Sequence, residues 1–116
     1  MVASGALMTL KQVRALVRFQ SIGNLAAVNE HRITLADALV EPRIISIIDR
    51  RIEKGRMKDE SLNVWLVGQE NESDGYKIVL SDDGSKFGLA SSGFPHDKHP
   101  ILVGWYGDLL TTFLGM

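Results

Sequence analysis

Cysteine is absent from this 116-residue chain, and that one absence removes three kinds of chemistry. There is no disulfide framework, no thiolate zinc site and no cysteine nucleophile. Long apolar runs are missing too: no stretch approaches the roughly 18 residues needed to cross a bilayer as a helix. Met1 to Leu10 is mildly apolar but lacks a basic leader, so a secretory signal is not expected and the cytoplasm is the expected compartment. Aromatic residues amount to only 7%, too few to interleave with the basic residues as a stacking platform for single-stranded nucleic acid. Prolines number three, at 42, 95 and 100, and they mark the places where regular structure must bend or stop. No internal repeat or low-complexity tract is present.

What remains is ordinary globular material. Hydrophobic residues make up 45% and charged residues 23% of the chain, enough to build one core. The length fits a single domain over 1–116, with a helical part at 1–40 and a sheet with a closing helix at 41–116. Net charge is only −1 but unevenly spread. Residues 1–60 carry ten Lys/Arg against seven Asp/Glu, and residues 61–116 carry three against seven. The first half is therefore at +3 and the second at −4, a split that suits a basic partner for the second half.

The spacing of Leu10, Val13, Leu16 and Val17 predicts an amphipathic helix, with Thr9 and Gln12 as a capping box and Gly23-Asn24 as its end. Short helices are expected over 25–31 and 34–39, with Pro42 closing off helical structure. From Arg43 the pattern turns β-branched. Strands are expected near 43–52, 61–69, 75–81 and 86–91, joined by a charged turn running to Glu60, a polar loop at 70–75 and an Asp82-Asp83-Gly84 hairpin turn. Leu102, Trp105, Tyr106, Leu109, Leu110 and Phe113 lie at helical spacing and predict a closing helix over 101–114, with Trp105 and Phe113 packed on the sheet. The fold class is therefore α+β: N-terminal helices, a four-stranded antiparallel meander and a C-terminal helix packed on it.

Motifs for catalysis are not assembled. Ser91 and Ser92 lie near His96 but have no nucleophile elbow. Asp82 and Asp83 are paired carboxylates, yet Asp-Asp-Gly is foremost a turn. His96-Asp97-Lys98-His99 offers metal-ligating types, but two flanking prolines and an intervening lysine make a solvated loop the better reading. Gly84, Gly88 and Gly93 cradle no phosphate. Neither enzyme activity, cofactor, metal nor small-molecule substrate is expected. The basic set Arg50, Arg51, Lys54, Arg56 and Lys58 reads as a soluble hairpin that guards a strand edge.

Two resemblances bear on function. Thr9 to Leu16 resembles the opening helix of LysR-type transcription factors, and Gly23 to Ala27 loosely echoes their next turn. The likeness ends where a recognition helix is due, so a DNA-binding regulator is an alternative, as is a small enzyme. Val64-Trp65-Leu66-Val67-Gly68, Gly75 to Leu80, Phe87-Gly88-Leu89-Ala90-Ser91 and Gly104-Trp105-Tyr106-Gly107 together look like small bacterial immunity proteins. Those are the antidotes encoded beside polymorphic toxins, including contact-dependent growth-inhibition systems, and the likeness spans about residues 35–116. It implies a non-catalytic cytoplasmic protein that neutralises a cognate toxin domain by direct protein–protein binding, without membrane or nucleic acid. The acidic residues Glu70, Glu72, Asp74, Asp82 and Asp83 are the expected partner-binding set, because they cluster in two neighbouring loops of the acidic half.

The helix that opens the chain is expected to be structural. In gel-shift titrations at physiological salt, duplex DNA should bind no tighter than micromolar, and Arg14→Ala or Arg18→Ala should change nothing.

Overall fold

Thr9 starts the first helix through the reciprocal bonds its sequence predicts. In the computed structural model, which describes residues 7–71, 75–93, 95 and 97–116, the Thr9 hydroxyl accepts the Gln12 N–H at 3.2 Å. The Gln12 side chain in turn accepts the Thr9 N–H at 2.9 Å, completing a capping box at the head of α1 (Leu10–Ser21). Val13 and Val17 are buried, whereas Phe19 points outward at 77% exposure. Gly23 then takes φ +81°, a left-handed turn that a Cβ would strain.

Residues 25–31 do not form the expected second helix; they are turns, with one isolated bridge between Val28 and Thr34. The reason lies in Asn29. Its side-chain carbonyl accepts the main-chain N–H groups of His31 and Ile33 at 2.9 and 3.4 Å, the first a donor that the helix would use, while the Leu25 and Ala27 carbonyls accept the Ala36 and Leu35 N–H groups instead. Arg32 follows at φ +64°. Thr34 then caps the single turn α2 (Leu35–Ala38), close to the expected 34–39.

Five strands follow: β1 (Leu39–Glu53), β2 (Arg56–Gln69), β3 (Lys77–Ser81), β4 (Phe87–Ser91) and β5 (Ile101–Gly107). They pair antiparallel in chain order, and β5 closes onto β1 to make a barrel. The expected four-stranded meander is thus a five-stranded barrel, and two corrections account for the difference. The first is at the end of the chain. Residues 101–107 are strand, and only α3 (Leu109–Leu114) is helix. Against β4, Gly88 pairs with Trp105, Leu89 with Gly104 and Ala90 with Leu102, so Val103 is an extra residue. That bulge brings Leu102 and Trp105 to the same side, which imitates helical spacing. Gly107 at φ +96° ends the strand, and Asp108 caps α3 by accepting the Thr111 N–H at 2.9 Å.

The second correction concerns the hairpin. There is no charged turn running to Glu60; Lys54 and Gly55 alone make the turn, at φ +51° and +77°, the paired left-handed conformation of a type I′ hairpin. The β1–β2 ladder runs unbroken from Arg43↔Leu66 to Glu53↔Arg56. Pro42 does not precede the strand but lies within β1, buried, where the register slips between Leu39 and Arg43. A bulge is where a strand tolerates a residue with no N–H.

The barrel wall is apolar on both sides. All five strands contribute to the interior, with Ile47, Val64, Val79 and Ala90 buried and Ile45, Leu62, Leu102 and Trp105 partly so. Outside, Trp65, Val67, Ile78, Leu80, Phe87 and Leu89 pack against Val13 and Val17 of α1, Leu35 of α2, and Leu109 and Phe113 of α3. Phe113 therefore packs on the sheet as expected, from a shorter helix. Fully burying a side chain such as Phe87 or Phe113 contributes about 1.5–3 kcal/mol. No described helix is long and apolar enough to cross a membrane.

Gly88 is required by this packing. A Cβ there would lie 2.6 Å from the Gly104 carbonyl oxygen and 2.6 Å from Trp105 Cε3. Gly88→Ala should therefore destabilise by about 1–3 kcal/mol in urea titrations. Gly104→Ala, whose Cβ would meet nothing closer than 3.8 Å, should stay within about 0.5 kcal/mol of wild type.

Candidate functional site

The five acidic residues singled out above do not act as one set. Glu72 and Asp74 lie outside the described residues. Glu70 is engaged inside the molecule. One of its oxygens accepts the Tyr76 N–H at 2.7 Å, which closes the loop between β2 and β3. The other lies 2.7 Å from His31 Nδ1, and the His31 ring stacks on Tyr76 with centroids 5.9 Å apart. Glu70 therefore fastens the turns after α1 to the sheet.

Asp83 is equally committed. Its carboxylate accepts the Ser85 N–H at 3.0 Å and the Ser81 hydroxyl at 2.8 Å. These bonds, the Ser85 N–H foremost, favour the charged form and lower its pKa to about 2. Ser81 Oγ also accepts the N–H groups of Ser85 and Lys86. The β3–β4 connection is thus a rigid, fully bonded turn.

Asp82 is the exception. Its side chain is exposed and carries no hydrogen bond among the described residues, while its main-chain carbonyl accepts the Met8 N–H at 3.0 Å. It stands on the rim of a polar groove at the mouth of the barrel, between the β1–β2 hairpin and the β3–β4 turn. Asp49, Ser61, Asn63, Asp82, Lys86 and Trp105 line this groove. Lys86 Nζ sits 4.8 Å from the centroid of the Trp105 ring, a cation–π contact that leaves the ring at the groove floor. Asp49 makes only a long ion pair, 3.8 Å, with Arg51.

The hairpin beside the groove is laced by charge. Arg50 pairs with Asp59 at 2.8 Å across the strands and with Asp97 of the β4–β5 loop at 2.9 Å. Hydrogen bonds to Asp59 and then Asp97 raise the arginine pKa further, and the Asp59 carboxyl is lowered in return by the same guanidinium. Arg51 pairs with Glu60 and Lys58 with Glu53 on the opposite face. The basic run read from the sequence is therefore largely neutralised in place. Asp97, weighed above as a metal-ligating type, is an arginine partner; His96 lies outside the described residues, and no three metal-ligating side chains gather among those described.

No family model, curated protein or solved structure matches this chain.

Sequence reasoning named Asp82 and Asp83 but missed Asp49, Ser61, Asn63, Lys86 and Trp105. Strand register brings them together from distant parts of the chain, and Trp105 was assigned to a helix. One signal was present: a type I′ Lys-Gly turn would have placed Asp49 opposite Glu60, and so have put both strands of the hairpin beside the groove.

The lowered Asp83 pKa fixes a pH window. Its ordinary value is 3.8 and its folded value about 2, so the stability it adds is complete above the ordinary value and is lost as pH falls toward 2. Urea midpoints of wild type should exceed those of Asp83→Asn at neutral pH, and the gap should close across that acid window.

Proposed function

We propose that the chain is a non-catalytic binding protein of the bacterial immunity type, acting in the cytoplasm by holding one cognate toxin domain through direct contact. The observation that carries this reading is the groove at the barrel mouth. Its walls are a hydrogen-bonded turn and a salt-bridged hairpin, so the groove is pre-formed and loses little freedom on binding. It presents an uncommitted carboxylate, Asp82, next to Asp49, with the half-buried Trp105 ring held under Lys86 beside them.

A groove of this kind suits a basic surface. Toxins that act on nucleic acid carry cationic clefts by necessity, since they must hold phosphates. An acidic, rigid rim meets such a cleft by charge and accelerates encounter. The charge split between the two halves of the sequence supports the same direction of complementarity. Glu70 and Asp83 contribute by keeping the loops in place, and Asp82 by contact.

The test uses the product of the adjacent gene. Wild type should bind it, and Asp82→Lys should weaken binding by about tenfold or more, on the order of 1.4 kcal/mol, mostly through slower association that is sensitive to salt. Because the Asp82 side chain holds nothing within the fold, the thermal melt should be unchanged. Absence of binding by wild type would overturn this reading.

A further inference from the structure

We infer that the outward edge of β2, over Met57 to Asn63, is a strand-addition site that takes an extended, lysine- or arginine-bearing segment of a partner protein. The inference rests on the binding-protein reading above and specifies where and how the partner is held.

In a two-residue hairpin the pair flanking the turn, here Glu53 and Arg56, is hydrogen-bonded, and the main-chain groups of successive residues then point alternately inward and outward. On β2 the outward set is Met57, Asp59, Ser61 and Asn63. The corresponding phase on β1 is confirmed at Ile48, whose N–H donates outward to the Pro100 carbonyl at 2.8 Å. β3 does not cover the outward set: it pairs with β2 only from Val64↔Ser81 onward. At Asp82 the chain turns away into its bonded loop. The main-chain groups of Met57, Asp59 and Ser61 therefore face out with no partner among the described residues, and Asn63 is the last position before the β3 ladder begins.

The two edges of the hairpin are treated differently. The edge of β1 is occupied by Pro100 and Ile101, and Asp97 sits on Arg50 beside it. Among the described residues the edge of β2 over Met57 to Ser61 has no such cover. A long open edge is a hazard that proteins ordinarily blunt or use. Here it runs directly into the groove, of which Ser61 and Asn63 form one wall. An extended segment laid along β2 would lie in line with β3, bonding to the outward groups as a further strand would. Alternate side chains of that segment would then enter the groove, where Asp49 and Asp82 favour a cation. Lys86 already lies over the Trp105 ring, so the groove's acidic side chains are what remains for a partner's cation. Charge thus selects a basic segment, and the edge selects an extended one.

The probe is a blocked peptide of alternating lysine and valine, titrated to millimolar concentration against the isotope-labelled full chain and followed by amide NMR. A glutamate–valine peptide of the same length is the control. The expected result is that shifts concentrate on the Met57, Asp59, Ser61 and Asn63 amides and on the Trp105 indole, with the glutamate peptide at least about tenfold weaker. Ser61→Pro removes one outward N–H and leaves the β1–β2 ladder intact, so it should abolish the response. If that variant does not fold, the wild-type map decides alone. Shifts confined to α1, equal response to both peptides, or none at all would overturn the inference. So would a concentration-dependent dimer protecting the same amides, which would make a second copy the occupant. Peptide binding here without binding of the adjacent gene product would sink the immunity reading and leave the site standing. Binding of that product with these amides unmoved would sink the site alone.

Discussion

Burial of both faces of β2 from Val64 to Gln69 is the constraint from which the rest of this structure follows. Val64 points into the barrel while Trp65 and Val67 point out of it, and all three are buried. A strand in that position cannot lie at the surface of a two-layer sheet. One face must be enclosed by the sheet curling on itself, and the other must be covered from outside. The curling is the barrel. The cover is α1 with the short helices α2 and α3, whose apolar residues would otherwise have no surface to meet. Deleting either layer exposes one side of the same strand.

Curling demands closure, and closure here is slender. β5 reaches β1 through a single parallel pair, Ile48↔Ile101. What reinforces it is Arg50, which forks between Asp59 on β2 and Asp97 on the loop leading to β5. A bidentate arginine suits this place because its planar donors hold two carboxylates in fixed directions. The same contact lies beside the edge of β1 that Pro100 and Ile101 occupy at Ile48, whereas among the described residues β3 pairs with β2 only from Val64 onward. Among the described residues the hairpin is thus asymmetric, tied to β5 on one edge where the barrel is shut.

Local signals were legible in the sequence and long-range ones were not. α1 was readable because Thr9 and Gln12 state its start and the apolar spacing its face. The strands at β3 and β4 were readable because Tyr76, Ile78, Leu80, Phe87 and Leu89 alternate cleanly, and all five do face the helices. The helix expected at 25–31 failed at Asn29, whose side chain takes the His31 N–H from it. β5 failed because a bulge at Val103 gives a strand a three-residue period. Propensity could have warned of it, since Gly104 and Gly107 are poor helix residues. The acidic residues were visible as charges but their duties were not. Nothing in Glu70 or Asp83 as letters distinguishes a carboxylate that closes a loop from one that meets a partner; only the distances to Tyr76, His31, Ser81 and Ser85 do.

That distinction bears on how a surface of this type can change its partner. Residues that bind by contact alone can be replaced without cost to the fold, whereas residues that also hold a turn cannot. On the proposed reading Asp82 would belong to the first kind, whereas Glu70 and Asp83 hold turns. The outward edge of β2, if it is the strand-addition site inferred above, would belong to neither, because it would offer main chain. Its hydrogen-bonding pattern survives substitution of the side chains around it. An interface built from a constant edge, a constant pair of turns and a few replaceable groove residues can keep its mode of attachment while its specificity drifts. Selectivity among related partners would then reside in the side chains at 49, 82, 86 and 105, and the strength common to all of them in the ladder.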